Sequence, residues 1–472
     1  MRKVASWTLL VLLLGGCTVG PDYRRPAADT PRSWRFAEED TKDLVDTRWW
    51  EQFNDPVLNG LINIALTQNK DLKIATARLE EFRGRYELAR AALFPQVGAG
   101  GSAGRQRSSA LGPVPLPATV DNPVELYLGS AYASWELDLW GKLRRGTEAA
   151  QADLLSTKEG RRSVILSVVA SVAGSYVNLR SLDRQMTIAR NTATGRAETY
   201  RIFTLRFKEG FVSELELSQS KSEYESALAV VRAFSRAIAL QENALSVLLG
   251  LNPGAIERGK GLSELELPSV PSGLPSDLLA RRPDIRQAEQ LLISANAQIG
   301  IARSRYFPSI SLTGMFGWES TSLSQLFTGP ARMWSWAVPF TQPIFTGGSI
   351  GAQVAAVEAF RDEAIFQYQK VIQNAFRDVE DALADQRRTR DQLATQEQQV
   401  ESLQTYAHVA RLRYDNGYTS YIEVVDAERS LFDAELAYSQ TLGNLFQAMI
   451  NLYKAMGGGW IIEAEKMIFT AP

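Results

Sequence analysis

A chain of 472 residues with 45% apolar and 22% charged residues buries a sizeable core, which excludes a disordered protein. Its 51 Lys and Arg against 53 Asp and Glu leave a net charge of −2 with no basic stripe, which excludes nucleic acid as the main partner. One histidine, His408, and one cysteine, Cys17, leave no residue set for a zinc site, a disulfide or Cys/His nucleophilic chemistry.

The chain opens on MRKVASWTLLVLLLGGCTVG, with Arg2 and Lys3 before an apolar stretch of about ten residues, too short to span a bilayer. Residues 1–16 therefore read as an export signal. The run Leu14, Gly15, Gly16, Cys17 resembles a bacterial lipobox, which makes Cys17 the expected lipid-bearing mature N-terminus; Thr18 rather than Asp after it favours outer-membrane sorting, by the same resemblance. No later segment reaches about 18 consecutive apolar residues, so any further crossing must use strands. Residues 17–56, with Pro21, Pro26 and Pro31, read as an extended leader and belt that Trp34, Trp49 and Trp50 pin to the body.

Two copies of one plan follow, over 57–250 and 276–457. DLKIATARLEEFRGRYELARAALFPQV from Asp71 aligns with DIRQAEQLLISANAQIGIARSRYFPSI from Asp284 at an offset of 213. Trp140 falls on Phe345 at 205, and the copies close on Leu249-Gly250 and Met456-Gly457 at 207. The eight residues lost between the offsets 213 and 205 are placed in the first hairpin, around LGPVPLPATVDNP. Between the copies, residues 251–275 are a Pro/Gly-rich connector, and 458–472 form a C-terminal tail. The period is too long for a solenoid, so a duplicated supersecondary unit is expected.

Each copy begins with an amphipathic helix, 57–93 and 276–306, ended by Pro95 or Pro308. Strands are predicted at 97–105, 126–139, 309–318 and 333–342 from their period of two. Their aromatic residues Tyr127, Trp135, Trp140, Trp318, Trp334, Trp336 and Phe340 suit a membrane belt. Proline then disappears from 124 to 252 and from 344 to 471, and long helices are expected at 141–207, 213–249, 347–414 and 420–456. From Val168 to Phe207 the apolar positions step by about 3.55 residues, a coiled-coil period. Alternation alone also fits a half-buried soluble sheet; the lipobox and the long coiled coil favour a barrel. Four strands cannot close one, and open edges are not tolerated in hydrocarbon, so several copies must each donate a sheet. Three give twelve strands; two give eight, whose side chains nearly fill the interior.

The duplicated plan, ARAALFPQV with ARSRYFPSI, LPSDLLARRPDIRQAEQ, the leader VGPDYRRP and turns centred on Gly210 and Gly417 resemble the TolC-like outer membrane factor family, in its lipoprotein branch (NodT-like, OprM-like). The resemblance runs from Cys17 to about Trp460. It implies a mixed fold, all-α with a transmembrane β-barrel: a homotrimer whose twelve-stranded barrel in outer-membrane lipid continues into a periplasmic α-helical barrel. It also implies a periplasmic adaptor (membrane fusion) protein and an inner-membrane pump, commonly of the resistance-nodulation-division class, as partners. The function implied is passive efflux of small molecules, with no catalytic site, cofactor or metal. Two sets of residues follow from the resemblance. Lys208, Glu209, Gly210, Phe211, Val212 and Ser213, with Asp415, Asn416, Gly417, Tyr418, Thr419 and Ser420, become the tips that dock the adaptor. Tyr414, Glu423, Asp426 and Arg429 become a periplasmic gate, with Thr419 standing where some relatives carry an arginine. Rivals are a duct for type I protein secretion, a non-channel envelope scaffold, and a lipid-tethered enzyme, for which no nucleophile elbow, P-loop or metal spacing is present.

Overall fold

The computed structural model describes residues 18–36, 47–109, 121–270, 274–457 and 460–470. The expected signal peptide, Cys17 and most of the first hairpin loop lie outside the described residues. Helix α1 (Pro56–Gln68) starts where Asp55 accepts from the N–H of Val57 at 2.9 Å and Leu58 at 3.4 Å, with proline at its first position. Helix α2 (Lys70–Ala91) follows after one extended residue, Asn69, so the single helix expected over 57–93 is two. The break is chemical: Asn69 caps the second helix through the N–H of Leu72 at 2.9 Å while its amide donates to Leu248 O at 2.7 Å. The helix expected over 276–306 also differs. Pro283 forces Arg282 to an extended ψ of 122°, leaving one helical turn at Leu278–Arg281 before α5 (Pro283–Ser304).

The long elements are helices α3 (Lys142–Lys208), α4 (Glu214–Leu248), α6 (Ser349–Asp415) and α7 (Tyr421–Ala455), with α8 (Ile461–Thr470) last. Both long first arms have 67 residues and both return arms 35. At 1.5 Å per residue each first arm runs about 100 Å. An apolar stretch of α3 is long enough to cross a bilayer by composition, but 61% of that stretch is buried inside the protein. From Gly141 and Gly348, both at positive φ, the repeats run at an offset of 207, which corrects the pairing of Trp140 with Phe345. Trp140 donates its indole N–H to Pro308 O at 2.8 Å, whereas Phe345 is 91% exposed. The change from 213 to 207 is six residues, not eight, and the hairpin loops 107–123 and 321–331 differ by that amount.

The chain divides into two compact units. The described residues of the first are 18–26, 79–109, 121–157 and 288–368, and it carries the sheet. Its strands β1 (Gln96–Gln106), β2 (Val124–Glu136), β3 (Ser309–Ser320) and β4 (Arg332–Ala337) are antiparallel in chain order, and β5 (Phe340–Thr341) resumes pairing with β3. The strand expected over 333–342 is thus interrupted at Val338-Pro339, where proline has no N–H to give; its carbonyl still accepts from Ser311 at 3.1 Å. The leader residues of this unit are tied down one after another. Val19 donates to Trp140 O at 3.0 Å, Pro21 O accepts from Asn296 at 2.9 Å, Asp22 pairs with Arg145 at 2.6 Å, and Tyr23 and Arg25 both bond Glu289.

The second unit comprises residues 27–78, 158–287 and 369 onwards. Trp49 and Trp50 are buried, the first stacked on Tyr453 at 5.4 Å and the second edge-on to Trp460 at 4.8 Å, while Trp34 meets Phe376 edge-on. Asp55 and Tyr176 anchor the connector: Tyr176 donates to Asp55 at 2.7 Å and accepts from Gly259, and Asp55 accepts from the N–H of Lys260 at 3.1 Å. The end of α4 meets the start of α2 at Asn69, and the end of α7 meets the start of α5 at Arg282, which donates to Ala455 O at 3.1 Å and to Asp284 and Asp378. Asn69 and Arg282 are 213 apart and Leu248 and Ala455 are 207 apart, so two different side chains satisfy the same orphan carbonyl in the two copies.

Candidate functional site

Both reversals are built by the same backbone. Gly210 and Gly417 share φ +76°, the left-handed value that glycine reaches without strain. Gly210 donates to Phe207 O at 3.0 Å and Phe211 to Arg206 O at 2.8 Å; Gly417 donates to Tyr414 O at 2.9 Å and Tyr418 to Arg413 O at 2.8 Å. Each is a Schellman motif, closing one long arm and leaving two residues before the next N-cap. The caps differ. Ser213 and Glu216 form a reciprocal capping box, whereas the carboxylate of Glu423 bonds the Thr419 hydroxyl and Arg413, the latter at 3.1 Å. Lys208, Glu209, Phe211, Ser213, Asp415, Asn416, Tyr418 and Ser420 are exposed, and Val212 and Thr419 are half-buried. Phe211 at 81% and Tyr418 at 78% are the most exposed aromatic rings of the two turns, with Leu215 and Ile422 exposed one turn on. Apolar side chains held in water at two adjacent helix ends form a surface suited to another protein.

Behind the turns the two hairpins share one core of Phe203, Ala410, Tyr421, Val424, Val425 and Ala427. Phe203 stacks on Tyr414 at 6.2 Å and tilts against Tyr421 at 4.5 Å. Burial pushes the Tyr421 hydroxyl up to about 12, and burial followed by the charge of Glu216 raises that of Tyr414. The four expected gate residues do not meet one another within a copy. Tyr414 belongs to this aromatic core, Glu423 pairs with Arg413, Asp426 accepts from the Tyr406 hydroxyl at 3.3 Å, and Arg429 pairs with Glu223.

Glu223 is the residue that sequence reasoning missed. It is buried, faces Arg196 at 3.0 Å on one side and Arg429 on the other, and its own carbonyl accepts from Arg196 at 3.0 Å. A second bridge joins Arg411 to Glu428 at 2.7 Å and to the Thr199 hydroxyl at 3.4 Å. At an offset of 207 the counterparts of Glu223, Arg196, Arg429, Arg411 and Glu428 are Ser430, Leu403, Ser222, Thr204 and Lys221. A signal was therefore present: the hairpins are joined by charges that one repeat has and the other lacks.

In the first unit, cross-strand register gathers the expected belt on one face. Tyr127, Trp135, Trp318, Trp334, Trp336 and Phe340 fall on that face together with Gly129, Ala131 and Ala133, while Ser130, Ser134, Thr313 and Ser335 fall on the other. Tyr127 and Trp135 are eight residues apart on β2, about 27 Å at 3.4 Å per residue. That separation suits the height of an outer-membrane apolar band, about 25 Å. Trp334, Trp336 and Phe340 are largely exposed, whereas Trp135 donates to Leu93 O at 3.0 Å and Trp140 stacks on Phe307 beyond the strand end.

The family described as "Outer membrane efflux protein" matches residues 61–251 and 274–458 of this chain. The chain is 35% identical to the probable efflux pump outer membrane protein TtgC of Pseudomonas putida, over 97% of this chain and 96% of that one. It is also 35% identical to the cation efflux system protein CusC of Escherichia coli, over 96% and 97% of the two chains. Its fold is similar to that of the Campylobacter jejuni CmeC outer membrane channel, with a TM-score of 0.89 and 26% identity over 96% of this chain and 99% of that one. The chain belongs to the outer membrane efflux protein family, and it is an efflux channel protein of the outer membrane.

Proposed function

We propose that three copies close one channel, their four-stranded sheets forming a twelve-stranded barrel and their helical hairpins a periplasmic duct. The observation that carries this is the sheet itself. Its edges β1 and β4 are open, its face is apolar and aromatic, and a spanning sheet with open edges cannot stand in hydrocarbon. The copies supply passage, and the driving energy lies in an inner-membrane pump, of the resistance-nodulation-division class in this reading. A periplasmic adaptor joins the two by packing on the exposed turns around Gly210 and Gly417. Small molecules, drugs and toxic compounds among them, are the cargo.

The lipoprotein branch is part of the same proposal. A lipid on Cys17 starts one residue before Thr18, which packs so closely at the β2–α3 junction that a Cβ on Gly141 would lie 2.8 Å from its side chain. The leader from Val19 to Arg25 is fixed by named bonds, which suits an anchor at the foot of the sheet.

In the ring, Asp426 and Glu423 recur three times around the duct, with Arg429 and Tyr414 tying neighbouring helices; like charges drawn together favour cation occupancy. Protein extracted from outer membranes runs as a trimer and conducts ions in planar bilayers. Asp426→Ala with Arg429→Ala raises the leak conductance several-fold. A non-conducting wild-type protein refutes the channel, and unchanged conductance of the double variant at all voltages refutes the gate alone.

A further inference from the structure

The two repeats act as a template for a contact that a single copy lacks. Within the second unit α3 packs on α7, the long arm of one repeat against the return arm of the other. At mid-height this seam is neutral and close. Ser181 donates to Ser439 O at 3.4 Å, Gln185 to Gln440 at 3.3 Å, and a Cβ added at Gly443 would stand 2.9 Å from the Ser181 hydroxyl. A ring closed by copies requires α6 of one copy to meet α4 of the next, which is the same pair of arms with the repeats exchanged. Because α3 maps on α6 and α4 on α7 at 207 throughout, each known contact names a pair across the new seam.

The substitution is drastic. The Ser181–Gly443 contact becomes Arg388 against Arg236 of the next copy, and Ser439 becomes its Arg232. Asn178 and Gly443, which line one groove, become Asp385 and Arg236. Gly174, against Gln447, becomes Asp381, and Arg184, over the ring of Tyr438, becomes Asp391. Arg232 and Arg236 are exposed and have no hydrogen bond or ion pair among the described residues, while Asp381, Asp385 and Asp391 are exposed on α6. Arg388 reaches Asp391 at 3.4 Å. Arg387 and Arg390 correspond to Arg180 and Asp183, which bond the connector at Lys260 and Arg258 rather than α7.

Resting on the trimer reading above, we infer that at mid-height the contacts between copies are ion pairs where those of α3 with α7 within a copy are hydrogen bonds between neutral groups, with Arg232 and Arg236 of α4 held by Asp381, Asp385 and Asp391 of the neighbouring α6. On α6 itself Arg377 lies 3.9 Å from Asp381 and Arg388 reaches Asp391, so Arg232 and Arg236 of the next copy extend pairs that α6 begins. Two arginines cannot occupy the space that Gly443 and Ser181 fill, so they turn toward the carboxylates above and below, and the seam between copies is the wider one. Ion pairs in water-accessible seams are screened by salt, whereas the neutral seams are not.

Full-length protein in detergent tests this by its oligomeric state. Arg236→Glu weakens the trimer at low ionic strength by at least about tenfold in dissociation constant, and adding Asp385→Arg restores it. Arg236→Cys with Asp385→Cys, bridged by a short bis-maleimide, yields covalent dimers and trimers on a denaturing gel. Wild-type trimers loosen as salt rises. A wild-type trimer with no bridging between copies, whose Arg236→Glu variant is equally stable, overturns the ionic seam while leaving the trimer intact. A monomeric wild type overturns both.

Discussion

At the scale of single residues, Glu223 joins the two hairpins. A carboxylate with little access to water is tolerable there because Arg196 and Arg429 approach it from two elements, and the pairing offsets the desolvation of all three groups. Glu223→Gln keeps the shape and removes the charge, so Arg196, itself buried, is left without its carboxylate. The expected loss is about 3 kcal/mol of unfolding free energy, read from denaturant titration, and it exceeds that of Arg429→Gln because Arg429 is largely exposed. Equal losses would mean that the hub does not hold the hairpins. The unmatched charges were visible on comparing the repeats, but their pairing was not, since Arg429 lies 206 residues from Glu223. Two carboxylates on one helix face, Glu423 and Asp426, could be read off a period of three; their actual partners Arg413 and Tyr406 come from the opposite arm.

Among the elements, the turns were the most legible. A glycine after a long apolar-periodic run has one common use, and both φ values agree with it. A Cβ at Gly210 or Gly417 meets nothing within 4 Å, so Gly210→Asp and Gly417→Asp cost only the backbone strain, about 1 kcal/mol each. Both variants keep their trimers and lose most of their adaptor binding, measured by titration of the adaptor onto the purified channel. Unchanged binding would move the docking surface elsewhere. The breaks at Asn69 and Arg282 were less legible. At Asn69 helix periodicity passes through undisturbed, and what the side chain serves is a carbonyl at the far end of another helix, Leu248; at Arg282 the signal to stop is Pro283, while the bond to Ala455 O comes from the fold.

For the whole molecule, the leader raises the question of what the lipid adds. Residues 19 to 25 are held by Trp140, Asn296, Arg145 and Glu289. A Cys17→Ala protein exported by a different signal is therefore expected to trimerise and conduct as the unmodified sequence does, with conductance in planar bilayers as the measure; loss of the trimer would give the lipid a structural part. The sequence by itself determined the duplication, the four long helices, the strand faces and the reversals, because each is written in local periodicity, proline placement and glycine position, which need only a few consecutive residues to act. Only the tertiary structure decided the paired joints at Asn69 and Arg282 and the partners of the charges that bind one repeat to the other. Those depend on groups brought together from opposite ends of the chain, and a pairing across two hundred residues leaves no periodic trace in either segment.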